Sequence, residues 1–165
     1  MTLSYRAMRV DDLPAALDVR LSTIENAVMP EELERDYGVT PASVVEAMRS
    51  HVKGWLCEES NEVVGFAMGD AATGEVLVVA VRPEHEARGI GGTLLGRVES
   101  WLFSQGHEAL WLLANPDPGV RAHGFYRKRG WRATGRMPKD DEVMALRKAD
   151  AGPATAADAG SSGGG

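Results

Sequence analysis

The chain has 165 residues, 44 % apolar and 25 % charged, which is one domain's worth with enough chain to bury a core. The formal net charge is −6, whereas a nucleic-acid partner calls for a basic excess, so nucleic acid is excluded as a partner. The single cysteine, Cys57, leaves no internal disulfide and nothing that argues for an oxidising compartment. No stretch approaches the ~18 apolar residues of a membrane span, and the first ten residues lack a signal peptide's apolar run. The expected location is the cytoplasm, with no membrane partner.

In chain order, Tyr5-Arg6-Ala7-Met8 alternates like a short strand. Asp11 or Asp12 caps a helix with Pro14 in its first turn and Leu13, Leu17, Leu21 and Ile24 on one face. Residues 30–37 are acidic and read as a short helix or loop. Thr40 caps a second helix with Pro41 at its first position, then Val44, Val45 and Met48. Strands follow at Lys53 to Glu58 and Glu62 to Gly69, joined at Ser60-Asn61. Gly74 introduces a third strand, Glu75 to Arg82, whose continuous apolar run predicts burial on both faces. Pro83 stops it.

Ile90 to Gln105 reads as a helix with Leu94, Leu95, Val98, Trp101 and Leu102 inward, ended by Gly106. Ala109 to Ala114 is a strand, Val120 to Arg129 a second crossover helix ended by Gly130, and Trp131 to Arg136 and Glu142 to Arg147 a closing strand pair. The order β-α-α-β-β-β-α-β-α-β-β is an α/β layer arrangement. Residues 149–165 hold only Ala, Gly, Ser, Asp, Thr and Pro and read as a disordered tail after a domain of residues 1–148.

The informative segment is Val81-Arg82-Pro83-Glu84-His85-Glu86-Ala87-Arg88-Gly89-Ile90-Gly91-Gly92-Thr93-Leu94-Leu95. It joins a buried strand to an amphipathic helix. A helix's first turn leaves about four backbone N–H groups without partners, and the helix dipole adds positive potential there. Glycines let that backbone approach a ligand, so the segment reads as a phosphate cradle, with Arg88 able to add charge-assisted hydrogen bonds. It is not a P-loop, because the closing Gly-Lys-Ser/Thr is missing, and Leu94 stands where a dinucleotide fingerprint has its third glycine. The basic run Arg127-Lys128-Arg129 also suits a small anion.

This segment resembles the acetyl-coenzyme A signature of the GCN5-related N-acetyltransferase (GNAT) family: a strand ending Val-x-Pro, then Gln/Arg-x-x-Gly-x-Gly/Ala, then a helix opening Leu-Leu. Arg121-Ala122-His123-Gly124-Phe125-Tyr126-Arg127-Lys128-Arg129-Gly130-Trp131 is similar to the family's second motif, a helix with Ala-x-x-x-Tyr and a closing Gly-aromatic. The resemblance covers residues 3–148. Glu86 stands where the family has Gln or Arg, and Gly119 where many members have an Asn that touches the pantetheine arm, with Asn115 earlier in that loop.

The resemblance implies the GNAT fold: a mixed central sheet of about seven strands, a splayed central strand pair, and helices on both faces. It implies acetyl-CoA as co-substrate, with no metal. The pantetheine would lie in the splay, pairing with the backbone of Val79, Ala80 and Val81 and touching Asn115. The pyrophosphate would sit on the loop Glu86, Ala87, Arg88, Gly89, Ile90, Gly91, Gly92 and Thr93. Tyr126 takes the place of the general acid that protonates the departing thiolate. Glu75 takes the place of a base acting through water, its alternative being a solvated strand-end carboxylate. An oxyanion donor is expected among the strand amides near Val81. The acceptor pocket is framed by the acidic first helices, with Glu25 in that rim, and Trp55 either walls it or packs in the core. Cys57, without a His or Asp at motif spacing, reads as packing.

The expected activity is an N-acetyltransferase moving an acetyl group from acetyl-CoA to a primary amine of a small molecule, by direct attack in a ternary complex. A protein acceptor, at an N-terminus or lysine, and a non-catalytic coenzyme A-binding sensor stay open beside it. Family members are often dimers, so the resemblance implies a homodimer.

Overall fold

The computed structural model describes residues 2–23, 40–86, 88–114, 121–138 and 141–151, with the backbone only at 121–123. Seven strands form one sheet: β1 (Leu3–Ala7), β2 (Val52–Glu59), β3 (Glu62–Asp70), β4 (Glu75–Val81), β5 (Ala109–Ala114), β6 (Arg132–Ala133) and β7 (Glu142–Arg147). Their spatial order is β1-β2-β3-β4-β5-β7-β6. β4 and β5 run parallel, and the other neighbouring pairs are antiparallel. The described helices are α1 (Leu13–Ser22), α2 (Pro41–Met48), α3 (Ile90–Ser104) and α4 (Arg121–Lys128).

Each face of the sheet carries its own core. On one face Leu56, Phe66, Met68 and Ala80 pack with α1 residues Ala16 and Val19 and with the partly buried Val44 and Met48 of α2. On the other, α3 contributes Ile90, Leu94, Leu95, Val98 and Leu102, which meet Val64, Ala67, Val76, Leu110, Leu112 and Met144 of the sheet. Glycines on β3 let α3 lie close. A Cβ on Gly69 would stand 2.6 Å from Val98 Cγ1, and one on Gly65 3.1 Å from Ile90 Cγ2.

The N-terminus of α2 follows its sequence signal. Ser43 N donates to Thr40 Oγ1 at 3.1 Å, and Thr40 N donates to Ser43 Oγ at 2.9 Å. Other elements depart from expectation. α1 buries Ala16 and Val19, while Leu13, Leu17 and Leu21 are only half-buried, because the small and β-branched side chains face the sheet and the leucines flank them. Ile24 lies outside the described residues. The last hairpin is shorter than predicted: β6 keeps two residues, and Gly135 at φ 81° bends the chain before β7. Trp131 is fully buried below that hairpin rather than part of it. Lys148–Asp150 form a 3-10 turn, and Ala151 packs against the core. The remainder of the expected tail lies outside the described residues.

Candidate active site

β4 lies at the centre of the candidate site. Toward β3 it is paired along its length, from Asp70↔Glu75 to Gly65↔Val81. Toward β5 it is paired at one place, Glu75↔Trp111, where Trp111 N donates to Gly74 O at 3.2 Å. Beyond that point the two parallel strands are unpaired, so a gap opens toward the C-terminal end of β4. Burial on both faces, expected from the apolar run, does not hold here. Leu77 is 40 % exposed, and Val78, Val79 and Val81 are half-buried, because the open edge removes neighbours.

The ladder between β3 and β4 contains a bulge: Gly69 pairs with Val76 and Met68 with Val78, leaving Leu77 as the extra residue. No sequence signal marked it. Past the bulge, Arg82 N donates to Val64 O at 2.9 Å. Alternation in an antiparallel pair then turns the backbone groups of Ala80 toward Phe66, and those of Val79 and Val81 toward the gap. This corrects the expected trio: Val79 and Val81 face the opening, and Ala80 serves the sheet.

β4 leads into the glycine turn. Gly89, at φ 80°, is the N-cap residue of α3, a left-handed conformation that disfavours a side chain, and a Cβ there would meet nothing within 4 Å. The Thr93 amide already donates to Gly89 O at 3.1 Å, and the Glu86 amide to Pro83 O at 3.3 Å. The exposed end of α3 is therefore the turn Gly89-Ile90-Gly91-Gly92, with Ile90 pointing its side chain into the core. The Arg88 guanidinium does not overlie this turn. It makes two hydrogen bonds to Glu59, at 2.7 and 3.3 Å, and one to His85 Nδ1 at 2.9 Å, which lowers the Glu59 pKa. His85 is thus held in a cluster with Arg88 and Glu59.

A different cation reaches the turn. Arg129 Nη1 lies 3.2 Å from where a Cβ on Gly92 would be. Glu99 of α3, 1 % exposed, accepts from Arg129 Nη2 at 3.3 Å and from Trp131 Nε1 at 2.8 Å. A buried carboxylate requires such partners, and the pairing ties the end of α4 to α3. The basic run 127–129 was visible in the sequence, but not which of its members points at the glycine turn.

Tyr126 of α4 is 9 % exposed and stands edge-on to Phe125 and Trp131, with ring centroids 5.3 and 6.0 Å away. Burial pushes its phenol up to about 12, against a lowering by Arg20 of α1 and with a further rise from Glu99. It is therefore protonated at neutral pH.

Glu75 sits at the closed end of the gap, across from Asp70. Burial and, secondarily, the Asp70 charge push its carboxyl up to about 7. Val76 points into the α3 core, so Glu75 faces the opposite side. Trp55 does not share that side. It packs edge-on against Trp101 of α3, centroids 5.9 Å apart, on the α3 face, which is the packing role rather than the pocket wall. Cys57 is fully buried, and burial raises its thiol pKa, so it is no nucleophile. Ala87, Asn115, Gly119, Glu25 and the rest of the acidic rim lie outside the described residues.

The acetyltransferase (GNAT) family model matches residues 20–131. The chain belongs to the GNAT family. It is accordingly an acyltransferase. An uncharacterized N-acetyltransferase of Methanocaldococcus jannaschii is 28 % identical over 129 residues, covering 72 % of this chain and 83 % of that one. The PaiA N-acetyltransferase from Thermoplasma acidophilum, solved in complex with coenzyme A, superposes with a TM-score of 0.73 at 18 % identity, over 89 % of this chain and 99 % of that one. YncA from Salmonella typhimurium, solved with its cofactor acetyl-CoA, gives 0.69 at 18 % identity, over 89 % and 94 %. At such identities the likeness concerns the fold alone. Among the described residues of this GNAT protein, no helix is long and apolar enough to cross a membrane. No group of three or more His, Cys, Asp or Glu among them is placed to hold a metal ion.

Proposed function

We propose that the protein is an acetyl-CoA-dependent N-acetyltransferase that acetylates the primary amine of a small molecule by direct attack in a ternary complex. The observation that carries this reading is the one-sided pairing of β4: an open edge that begins at the Glu75 carboxylate and runs into the glycine turn of α3. The residues fit acetyl-CoA. Glycines leave the first turn of α3 uncovered, Arg129 brings a cation over Gly92, and Val79 and Val81 turn backbone groups to the gap. Acetyl-CoA supplies the acetyl group as a thioester.

The chain's own groups then divide the work. The amides of Gly89, Ile90, Gly91 and Gly92 receive the pyrophosphate, aided by the helix dipole. Val79 and Val81 pair with the pantetheine arm as an added strand does, and one of these amides is the oxyanion donor. Glu75, poised at about 7, takes the proton that the amine must lose. Tyr126, protonated at neutral pH, gives a proton to the leaving sulfur. Holding both substrates side by side supplies a large share of the rate. The buried, protonated Cys57 supports direct attack over a covalent enzyme intermediate. Among the described residues, the exposed large apolar side chains on the two splayed strands are Leu77 and Leu113, which favours a small acceptor over a polypeptide.

The test is calorimetric titration with acetyl-CoA, followed by thiol release against a panel of amines and peptides. Binding with amine-dependent release supports the reading. Release with peptides alone moves the acceptor to proteins, binding without release points to a coenzyme sensor, and absence of binding overturns the cradle.

A further inference from the structure

Four large hydrophobic side chains among the described residues are exposed, and two of them, Leu77 at 40 % and Leu113 at 42 %, stand on the two splayed strands. Leu110, Leu112 and Ala114 belong to the α3 core, so Trp111 and Leu113, which alternate with them, face the same side of the sheet as Glu75. Counted from the pair Glu75↔Trp111, Leu77 and Leu113 are each the second residue on, along the two strands that flank the gap. Trp111 is fixed in place: its Nε1 donates to Thr73 O at 3.1 Å. The result is an apolar patch that ends in the carboxylates of Glu75 and Asp70.

We propose that the acceptor is a primary amine with an apolar body, aromatic or branched alkyl, which lies on Leu77, Trp111 and Leu113 while its amino group meets Glu75. This rests on the N-acetyltransferase reading above and adds the substrate class. Charge and polarity are both complementary: the cationic amine goes to the carboxylate end and the hydrocarbon to the leucines. Two strand residues rise about 7 Å, so the apolar group must reach about that far from the nitrogen, the length of an extended arylethylamine from its amine to the far edge of its ring. Glu75, raised toward 7 by its burial, still ionises at neutral pH and can both hold and deprotonate such an amine.

Thiol release at saturating acetyl-CoA would be measured with 2-phenylethylamine, 3-methylbutylamine, ethanolamine and putrescine, for the wild type and for Leu113→Gln and Leu113→Met. The expected kcat/KM for 2-phenylethylamine exceeds that for ethanolamine by about tenfold or more, as methylene-scale contacts in an apolar site give 10- to 200-fold. Leu113→Gln lowers the 2-phenylethylamine value by about tenfold, the scale of losing part of a leucine contact. It lowers ethanolamine turnover far less and leaves the KM for acetyl-CoA unchanged, and Leu113→Met keeps the preference. Thermal melts check that both variants fold. Equal turnover of ethanolamine, putrescine and 2-phenylethylamine overturns the inference while leaving the N-acetyltransferase intact. A rise in the KM for acetyl-CoA in Leu113→Gln also overturns it, because the patch then belongs to the coenzyme arm. Coenzyme binding without thiol release from any amine defeats the catalytic reading itself.

Discussion

The two edges of β4 differ in how they are paired. Its β3 edge is laddered from Glu75 to Val81 and backed by α3, which rests on Gly65 and Gly69 so closely that a Cβ on either would touch it. Its β5 edge is bridged once, at Glu75↔Trp111, and then left open. The same seven residues thus serve the fold on one side and expose polar backbone on the other. Unpaired backbone inside a sheet costs free energy unless something satisfies it, so an opening at the middle of a sheet, rather than at its rim, points to a ligand. The bulge at Leu77 sharpens the contrast, because it changes which residues look each way.

The largest effect is expected at the end of the open edge. Glu75→Gln should lower kcat/KM by about 10²- to 10⁴-fold, and the wild-type rate should fall as pH drops through about 7, a limb that the variant loses. The stability sign is opposite to that of an ordinary carboxylate. Folded Glu75 keeps its proton up to about 7, while the unfolded chain releases it near the ordinary glutamate value of 4.5. Between those values the folded state binds more protons, so this group's contribution declines as pH rises. Glu75→Gln should therefore melt higher than wild type at pH 8, with the difference vanishing near pH 4. A melting difference independent of pH would break the assignment.

Tyr126→Phe comes next. Loss of the proton donor should reduce kcat by about 10²-fold with calorimetric binding of acetyl-CoA retained. An unchanged kcat would leave Tyr126 as core packing, which its contacts with Phe125 and Trp131 already provide.

A pair of proline variants separates the two edges directly. Ala80→Pro removes an amide that faces β3, whereas Val81→Pro removes one that faces the gap. The first should be less stable than the second by about 1–3 kcal/mol, the range for an unmade buried hydrogen bond, read by urea unfolding. The second should instead weaken acetyl-CoA binding. Equal stability losses would mean that alternation along β4 has been assigned the wrong way round. The smallest effect is expected at the loop. Glu59→Gln frees the exposed Arg88 from its ion pair and should tighten acetyl-CoA only a few-fold, an effect that salt erases.

The primary sequence determined a great deal. Local punctuation set the elements: Thr40-Pro41 opens α2, Gly106 and Gly130, at φ 101° and 97°, end the crossover helices, and the apolar run 76–81 is a central strand. The glycine turn after Val81 marked the candidate phosphate site, and the order of elements, with the resemblance it carries, gave the family. Such features are legible because they are local, each resting on one residue's backbone preference or on a short period.

Only the tertiary structure decided the rest, because these features depend on residues far apart in the chain. The pairing of β4 stops at Trp111 on β5, so neither strand alone shows the gap. The bulge at Leu77 is a mismatch of count between two strands. Glu99, thirty residues before Arg129, holds that guanidinium beside the glycine turn, while Glu59, twenty-nine residues before Arg88, draws the expected cation away. Trp55 packs on Trp101 of α3, and Glu75 meets Asp70 across the hairpin, where burial sets its affinity for a proton. Which face a side chain takes, and how much water it loses there, are properties of the assembled sheet.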